Sequence, residues 1–218
     1  NILKLNPNSG GNRLIWDMRY PGFVSFEGMV LYSSPNVGPK VTPGIYSIEM
    51  TYNDEVFEHK FEIEKDPRLS LSQEDYARQL SFLLEVRDQV SLANKTIIDI
   101  RKIKNDLKYL TSKVSDKEQL IDIINRFNKE LELVENNIHM TKNQSRQDPL
   151  NYGIRINNRL AFLLADSQRG DHSPNQQALD FFESNNIYLF THSASGLNIS
   201  IVIDSENEYK VINSIYEN

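Results

Sequence analysis

The spacing of apolar side chains changes near residue 70, from a period of two to a period of about three and a half. Between Gly44 and Tyr52, apolar and polar residues alternate, which is typical of a strand with one buried face. The turn residues Asn53 and Asp54 follow, and Val56 to Glu64 continues the alternation. The pattern therefore predicts a β-hairpin whose apolar face carries Tyr46, Ile48, Met50, Tyr52, Phe57, His59, Phe61 and Ile63.

Two more strands are predicted before this hairpin. Residues 12–19 alternate, with Leu14, Trp16 and Met18 on one side, and residues 29–33 form a short apolar run. Four or more antiparallel strands within about 60 residues are typical of a small sandwich. We therefore expect residues 1–68 to form a small antiparallel immunoglobulin-like β-sandwich, in which Trp16 and His59 belong to the core.

A long helix is predicted next, because Ser70 or Ser72 can cap it and acidic residues occupy its first turn. Its apolar stripe steps by three and four over about 40 residues, or roughly 60 Å. A second helix opens at Ser115-Asp116, and the short link makes the two helices antiparallel. The stripe of the first helix consists of Leu83, Val86, Val90, Ala93, Ile97, Ile100, Lys104, Leu107 and Leu110.

The remaining helices complete the predicted bundle. A polar loop at 141–153 precedes a helix at 154–167, and further helices are expected at 176–190 and 205–216, with 193–204 left open between strand and coil. The predicted fold class is therefore α+β. A sandwich module (1–68) is followed by an antiparallel helical bundle with a long helical hairpin (69–218).

Composition narrows the function more than the fold. The chain has 218 residues, with 24 Lys and Arg against 30 Asp and Glu, a net charge of −6 that argues against nucleic-acid binding. It has no cysteine, so disulfides and thiolate chemistry are excluded. No apolar run is long enough to span a membrane. Because the chain starts at Asn1 without a signal segment, we expect it to belong to a longer polypeptide.

The residues themselves give only weak evidence for a catalytic, metal-binding or sugar-binding site. Glycoside hydrolysis needs two carboxylates at a defined separation. Asp17, Glu27, Glu49 and Glu55 lie in the β-portion, but carboxylates on a small sheet are usually solvated charges. The four histidines have no metal-ligand spacing, and we predict no cofactor and no metal. The aromatic residues around Trp16 could stack on a sugar ring, although burial is the favoured interpretation.

Three stretches of the chain resemble one protein family. They are GGNRLIWDMRYPG at 10–22, VTPGIYSIEMTYNDEVFEHKFEIEKDPR at 41–68 and RQDPLNYGIRINNRLAFL at 146–163. They resemble the C-terminal region of bacterial sortilin-like proteins, usually labelled glycosyl hydrolases with neuraminidase-type (Asp-box, or BNR) repeats. In that family a large β-propeller comes first, followed by a small immunoglobulin-like module and a helical region. The resemblance covers about residues 10–185.

The resemblance implies a non-catalytic accessory region of an exported protein, located in the periplasm, on the cell surface or outside the cell. It supplies no catalytic residue, so whether this chain takes part in an enzyme stays open. The implied partners are the upstream β-propeller and a possible glycan or protein. The motif residues that could form an interface are Trp16, Asp17, Arg19, Tyr20, Arg68, Asp148, Asn151, Tyr152, Arg155 and Asn158.

Four of these motif residues have a more specific prediction. We expect Arg68, Asp148, Arg155 and Asn158 to tie the loop to the bundle by charge-assisted hydrogen bonds. Two alternatives for the function remain open. Asp17 or Glu27 could complete a glycosidase site in the parent protein, or the helix at 72–111 could act as a coiled-coil adaptor.

Overall fold

The computed structural model describes residues 8–114, 117–185, 187–192 and 199–203, the last two ranges as backbone. The described residues are mostly helical and include two antiparallel strand pairs, which confirms the α+β class. In chain order the elements are β1 (Gly44–Tyr52), β2 (Glu55–Ile63), α1 (Gln73–Lys113), α2 (Glu118–Ile138), α3 (Asp148–Tyr152), α4 (Ile156–Ser167), α5 (Gln176–Asn185), β3 (Ile187–His192) and β4 (Ile199–Ile203).

Helix α1 begins where the sequence predicts it. Ser72 is the N-cap, because its hydroxyl accepts from the Asp75 backbone N–H (3.2 Å) while the Asp75 carboxylate accepts from the Ser72 N–H (3.0 Å). This reciprocal capping box satisfies two donors that the first helical turn leaves open. The helix then runs for 41 residues, about 60 Å. Its stripe is fully buried from Val86 to Ile100.

Helix α2 returns antiparallel to α1. Arg101 and Lys104 of α1 pair with Glu135 near the end of α2. Ala93 and Ile97 pack on Ile138, one turn further along α2. The other end of the α1 core packs on α4 and α5, where the rings of Phe82 and Phe182 meet edge to face at 5.7 Å. This part of the core also contains Val86, Val90, Leu160, Ala161, Leu163 and Leu164.

The predicted strands at 12–19 and 29–33 are wrong. Residues 8–68 are all described, and they contain the β1–β2 hairpin and one isolated bridge between Arg19 and Lys40, without a sandwich. Met18 and Ser33 adopt left-handed backbone angles (φ 57° and 49°), which interrupt an extended strand.

The predicted helix at 176–190 is also too long. It ends at Asn185, and β3 follows at Ile187–His192, paired antiparallel with β4. The sequence IYLFTH is rich in β-branched and aromatic residues, which favour strands. Pairing with Ile199–Ile203 therefore stabilises a strand here, where the sequence pattern had predicted a helix. The predicted helix at 205–216 lies outside the described residues. Of the range 193–204, for which no structure was predicted, residues 193–198 and 204 also lie outside them.

Candidate functional site

Residues 19–40, which we call the crossing segment, run over α1 and α4 without regular structure. The helices hold this segment with side-chain hydrogen bonds in place of a neighbouring strand. The Asn94 Nδ2 donates to the Val24 carbonyl (2.6 Å), and the Val24 N–H donates to the Ser91 hydroxyl (3.1 Å). Asn158 of α4 bonds both the N–H and the carbonyl of Tyr32 (2.8 and 3.0 Å). The backbone groups of Val24 and Tyr32 are thereby satisfied by side chains far away in sequence.

A buried polar cluster lies beneath the crossing segment. Asn94, Asn157 and His139 are each at most 2% exposed. The Asn157 amide Nδ2 contacts both Asn94 Oδ1 (3.0 Å) and His139 Nδ1 (3.1 Å). Since Nδ2 can only donate, His139 Nδ1 accepts and the neutral ring carries its proton on Nε2. Burial lowers the pKa of His139, which keeps the imidazole neutral.

An ion network adjoins this cluster. Glu135 is 3% exposed, and its carboxylate accepts from Arg101 Nε (2.8 Å) and Lys104 Nζ (3.1 Å). Burial alone would raise the pKa of Glu135, but the hydrogen bonds from Arg101 and Lys104 outweigh it and the pKa is lowered. The Arg101 guanidinium also lies 4.7 Å from the Phe26 ring centre and donates to the Glu27 carbonyl (3.0 Å). The network therefore also fixes the crossing segment.

Two glycines allow the crossing segment to fold back tightly. A Cβ on Gly38 would overlap the Tyr20 carbonyl, and a Cβ on Gly22 would overlap the Asn36 side chain. The Asn36 amide bonds both the N–H and the carbonyl of Phe23 (2.8 Å each). The glycines of the RYPG and VGP sequences are therefore required for close backbone approach.

The WDMRY motif forms a corner between the hairpin and the helices. The half-buried Trp16 ring contacts Tyr46 and Phe61 (5.9 and 6.2 Å between ring centres), and its Nε1 donates to the Arg19 carbonyl (3.4 Å). Arg19 Nη1 donates to the Gly38 carbonyl (2.8 Å) and to Oε1 of Gln168, the residue that follows α4 (3.0 Å). These contacts are structural.

The other two motif residues at this corner contribute through local contacts. The exposed Asp17 carboxylate accepts from the Arg19 N–H (3.1 Å), and the Tyr20 N–H donates to the Pro39 carbonyl (2.8 Å). Both contacts stabilise the turn of the WDMRY motif.

Four residues were predicted to tie the loop at 141–153 to the bundle by charge-assisted hydrogen bonds. Asn158 bonds the crossing segment and not this loop, through neutral hydrogen bonds to Tyr32 and Ser34. Arg68 instead pairs with Asp66, two residues away (2.6 Å). Asp148 accepts from the backbone N–H groups of Gln144 and Ser145, and these bonds lower its pKa. The Nε of Arg155 is buried without a hydrogen-bond partner in the described part of the chain.

Two further motif residues lie on the short helix α3. Asn151 and Tyr152 are both exposed there, and Tyr152 retains 49% of its surface.

A cleft of about 340 Å³ lies between the base of the hairpin and α1. Tyr76, 6% exposed, lines it, and its hydroxyl has no hydrogen-bond partner among the described residues. Burial, followed by the charges of Asp171 and Asp66, raises the pKa of Tyr76, so the phenol is protonated and cannot serve as a base near neutral pH. The charged lining mixes both signs: Asp17, Arg19, Lys40, Glu64, Lys65, Asp66 and Asp171.

The structure does not bring Asp17 and Glu27 into one cavity. Asp17 lines the cleft beside Tyr76, whereas Glu27 lines a separate open groove with Ile98 and Arg101. Within the described ranges, no three His, Asp or Glu side chains are grouped so as to hold a metal ion. His59, predicted in the core, is exposed instead, because this end of the hairpin has no covering layer in the described structure.

We call the crossing segment, the helix side chains that hold it, and the buried polar cluster and ion network beneath it the junction. The residues that build the junction were largely missed by sequence reasoning. Lys104 interrupts an otherwise apolar stripe, and Asn94 lies four residues after Val90 and three before Ile97, on the same helical face. Polar residues on a buried helical face need partners, so both positions signalled a buried network. Their partners, Glu135 and Asn157, are 31 and 63 residues away and could not be identified from spacing.

Comparison of the chain with family models, curated proteins and solved structures gives no match. Among the described residues, no helix has the length and apolar character needed to cross a bilayer.

Proposed function

We propose that this chain is a non-catalytic C-terminal accessory region of an exported β-propeller protein of the sortilin-like, glycosyl-hydrolase-labelled family, and that it braces the propeller. The observation that carries this proposal is the junction. Asn94 of α1 bonds the crossing segment at Val24 and Asn158 of α4 bonds it at Tyr32. Gln168, the residue after α4, bonds it at Val37. The crossing segment ends shortly before β1, and Gln73 of α1 donates to the Pro43 carbonyl (2.9 Å), so the base of the hairpin is attached to the helices, as a brace requires.

We also propose that the hairpin belongs to an immunoglobulin-like sandwich. Its support is the amphipathic register of β1 and β2, together with the packing of Trp16 on Tyr46 and Phe61 at the hairpin base. A two-stranded sheet with one apolar face is marginal alone and needs a covering layer. Polypeptide outside the described residues would supply the additional strands.

Calorimetric titration of this chain against the upstream propeller, produced separately, tests the brace. A dissociation constant in the micromolar range or tighter, about −8 kcal/mol, is expected. The matched control is the Asn158→Ala variant, whose crossing segment loses its anchor at Tyr32 and which should bind more weakly. A propeller that gives no heat of binding with the wild-type chain would refute bracing.

The coiled-coil adaptor remains a second candidate because of the far end of the α1–α2 pair. Tyr109 and Leu110 of α1 are 63% and 48% exposed, and Ile123 of α2 is 53% exposed. These residues could contact another helix. Light scattering of the wild-type chain and of Leu110→Glu distinguishes the candidates, because an adaptor seam predicts self-association or helix binding that the variant loses.

A further inference from the structure

A run of three hydrogen bonds joins His139 to the crossing segment through two buried amides. Asn157 Nδ2 donates both to His139 Nδ1 (3.1 Å) and to Asn94 Oδ1 (3.0 Å). Asn94 Nδ2 in turn donates to the Val24 carbonyl (2.6 Å). We call these four groups, His139, Asn157, Asn94 and Val24, the relay. Its three side chains are each at most 2% exposed, so bulk water cannot replace a lost hydrogen bond.

The direction of these hydrogen bonds requires a neutral His139. A backbone carbonyl can only accept, so Val24 takes the donor side of Asn94, and Asn94 then offers its oxygen to Asn157. Asn157 is left with only N–H groups to offer His139. A proton on His139 Nδ1 would therefore set one donor against another.

Protonation of His139 would reverse the relay. If the Asn157 amide turns over, its Oδ1, which is buried without a hydrogen-bond partner among the described residues, can accept from the protonated ring. The same turn brings the amide oxygens of Asn157 and Asn94 together. Asn94 relieves that contact by turning its own amide or by moving away, and in either case its donor leaves the Val24 carbonyl.

Release of the crossing segment also exposes the imidazole. The Phe26 ring packs edge to face on His139, with 5.0 Å between the ring centres. When Phe26 moves away with the segment, water reaches the imidazole and stabilises its charged form. The released chain therefore binds a proton more readily than the closed chain does.

The charged groups around His139 are consistent with a neutral ring in the closed chain. Arg101 of α1 opposes protonation, whereas Glu135, four residues before His139 on α2, favours it. Glu135 already accepts from Arg101 and Lys104, so its charge is largely compensated. α4 contributes a neutral amide to the ring, and the crossing segment contributes an aromatic side chain. Burial outweighs the attraction of Glu135, and the pKa of His139 is lowered.

We propose that the relay is an acid-sensitive latch, in which protonation of His139 releases the crossing segment from Asn94 of α1 while the helices stay packed. Because the proton binds the released chain more tightly, acid shifts the equilibrium towards release. The ordinary pKa of histidine is about 6.5. The ratio of released to closed chain should therefore rise about tenfold per pH unit between this value and the lower pKa of the closed chain.

Amide hydrogen exchange of the full chain from pH 7 to 5 tests the latch. The Val24 N–H donates to the Ser91 hydroxyl (3.1 Å), so its exchange reports release of the crossing segment. Corrected for the intrinsic exchange rate, the opening constant at Val24 should rise about tenfold or more over this range. It should also exceed the opening constants of Val90 and Ile97 in α1 at each pH, because release does not unfold the helices.

Two single variants assign the acid response to His139. His139→Gln removes the titrating ring, and His172→Gln makes the same change at an exposed histidine. The rise at Val24 should be lost in the first variant and kept in the second, with circular dichroism at pH 7 confirming that both are folded. A rise in folded His139→Gln as large as that of the wild-type chain would overturn the latch.

The wild-type chain alone decides the question if His139→Gln does not fold. A Val24 opening constant that stays level from pH 7 to 5, or that equals those of Val90 and Ile97 at each pH, would overturn the latch. In the second case the crossing segment would leave only when the whole chain unfolds. These measurements use no propeller, so either result leaves the proposed brace intact.

Discussion

Replacing Asn158 with alanine should detach the crossing segment from α4. The Asn158 side chain, 4% exposed, makes three hydrogen bonds to this segment. It accepts from the Tyr32 N–H (2.8 Å) and donates to the Tyr32 carbonyl and the Ser34 hydroxyl (3.0 Å each). Alanine removes all three hydrogen bonds. No other protein group can take the place of the Asn158 amide without movement of the backbone.

The expected cost follows from these contacts. Each hydrogen bond contributes about 1 kcal/mol to folding, so the three together contribute about 3 kcal/mol. Tyr32 is half-buried and can regain part of its hydration, which brings the expected loss to about 2–3 kcal/mol. For a chain of this size, that lowers the melting temperature by roughly 5–10 °C.

Thermal unfolding measured by calorimetry, combined with amide hydrogen exchange, tests this prediction. The Tyr32 amide should exchange faster in Asn158→Ala, whereas amides in the buried part of α1 should stay protected below the unfolding transition. The matched control is Asn151→Ala, because Asn151 is also helical but exposed. If Asn158→Ala melts with the control and its Tyr32 amide exchanges at the wild-type rate, the crossing segment is not anchored as described.

Three further predictions concern the junction. Gly38→Ala should destabilise the chain by several kcal/mol, since its Cβ would overlap the Tyr20 carbonyl, whereas Gly11→Ala meets no atom within 4 Å and should unfold at the wild-type denaturant midpoint. Glu135→Gln should lower the free energy of unfolding by about 2 kcal/mol, because its charge-assisted hydrogen bonds are lost. The control is Glu132→Gln, which should change the free energy of unfolding by less than about 0.5 kcal/mol, because the Glu132 carboxylate is 58% exposed and lies 3.7 Å from Lys104. Equal losses in the two variants would contradict the buried network. The lowered pKa of His139 means that the unfolded chain takes up its proton first as pH falls, so stability is intact above about pH 6.5 and declines below it. The pKa of Glu135 is lowered in the folded chain, so its contribution to stability is present above the unfolded-state pKa of about 4.5 and is lost below it. Urea unfolding between pH 7 and 5 therefore isolates His139, and His139→Gln should flatten that decline.

Local features of the sequence were sufficient for the hairpin and for the start of α1. Alternation over nine residues on each side of Asn53-Asp54 defines both faces of the hairpin, because the strand period is a property of the backbone. The Ser72–Asp75 capping box likewise involves residues three apart. Such short-range patterns also predicted that α2 returns alongside α1.

The crossing segment shows where local patterns fail. Just before it, Leu14, Trp16 and Met18 alternate like a strand, yet Met18 adopts a left-handed conformation. The crossing segment then folds back so that its two ends, Arg19 and Lys40, form an isolated bridge. No local property of the sequence distinguishes a strand from an extended segment whose partners are side chains of a helix. The β3 strand was missed because the sequence IYLFTH does not alternate between apolar and polar residues, and a short apolar run does not distinguish a strand from a continuing helix.

The sequence by itself determined the periods of the strands and helices, the capping of α1 and the two-sided character of the hairpin, all of which depend on residues a few positions apart. Tertiary structure decided the junction. Tyr32 meets Asn158 across 126 residues, and Asn94 meets Asn157 across 63. Hydrogen bonds act over about 3 Å, so these pairs exist because α4 packs on α1, and that packing is set by the shape of the whole core.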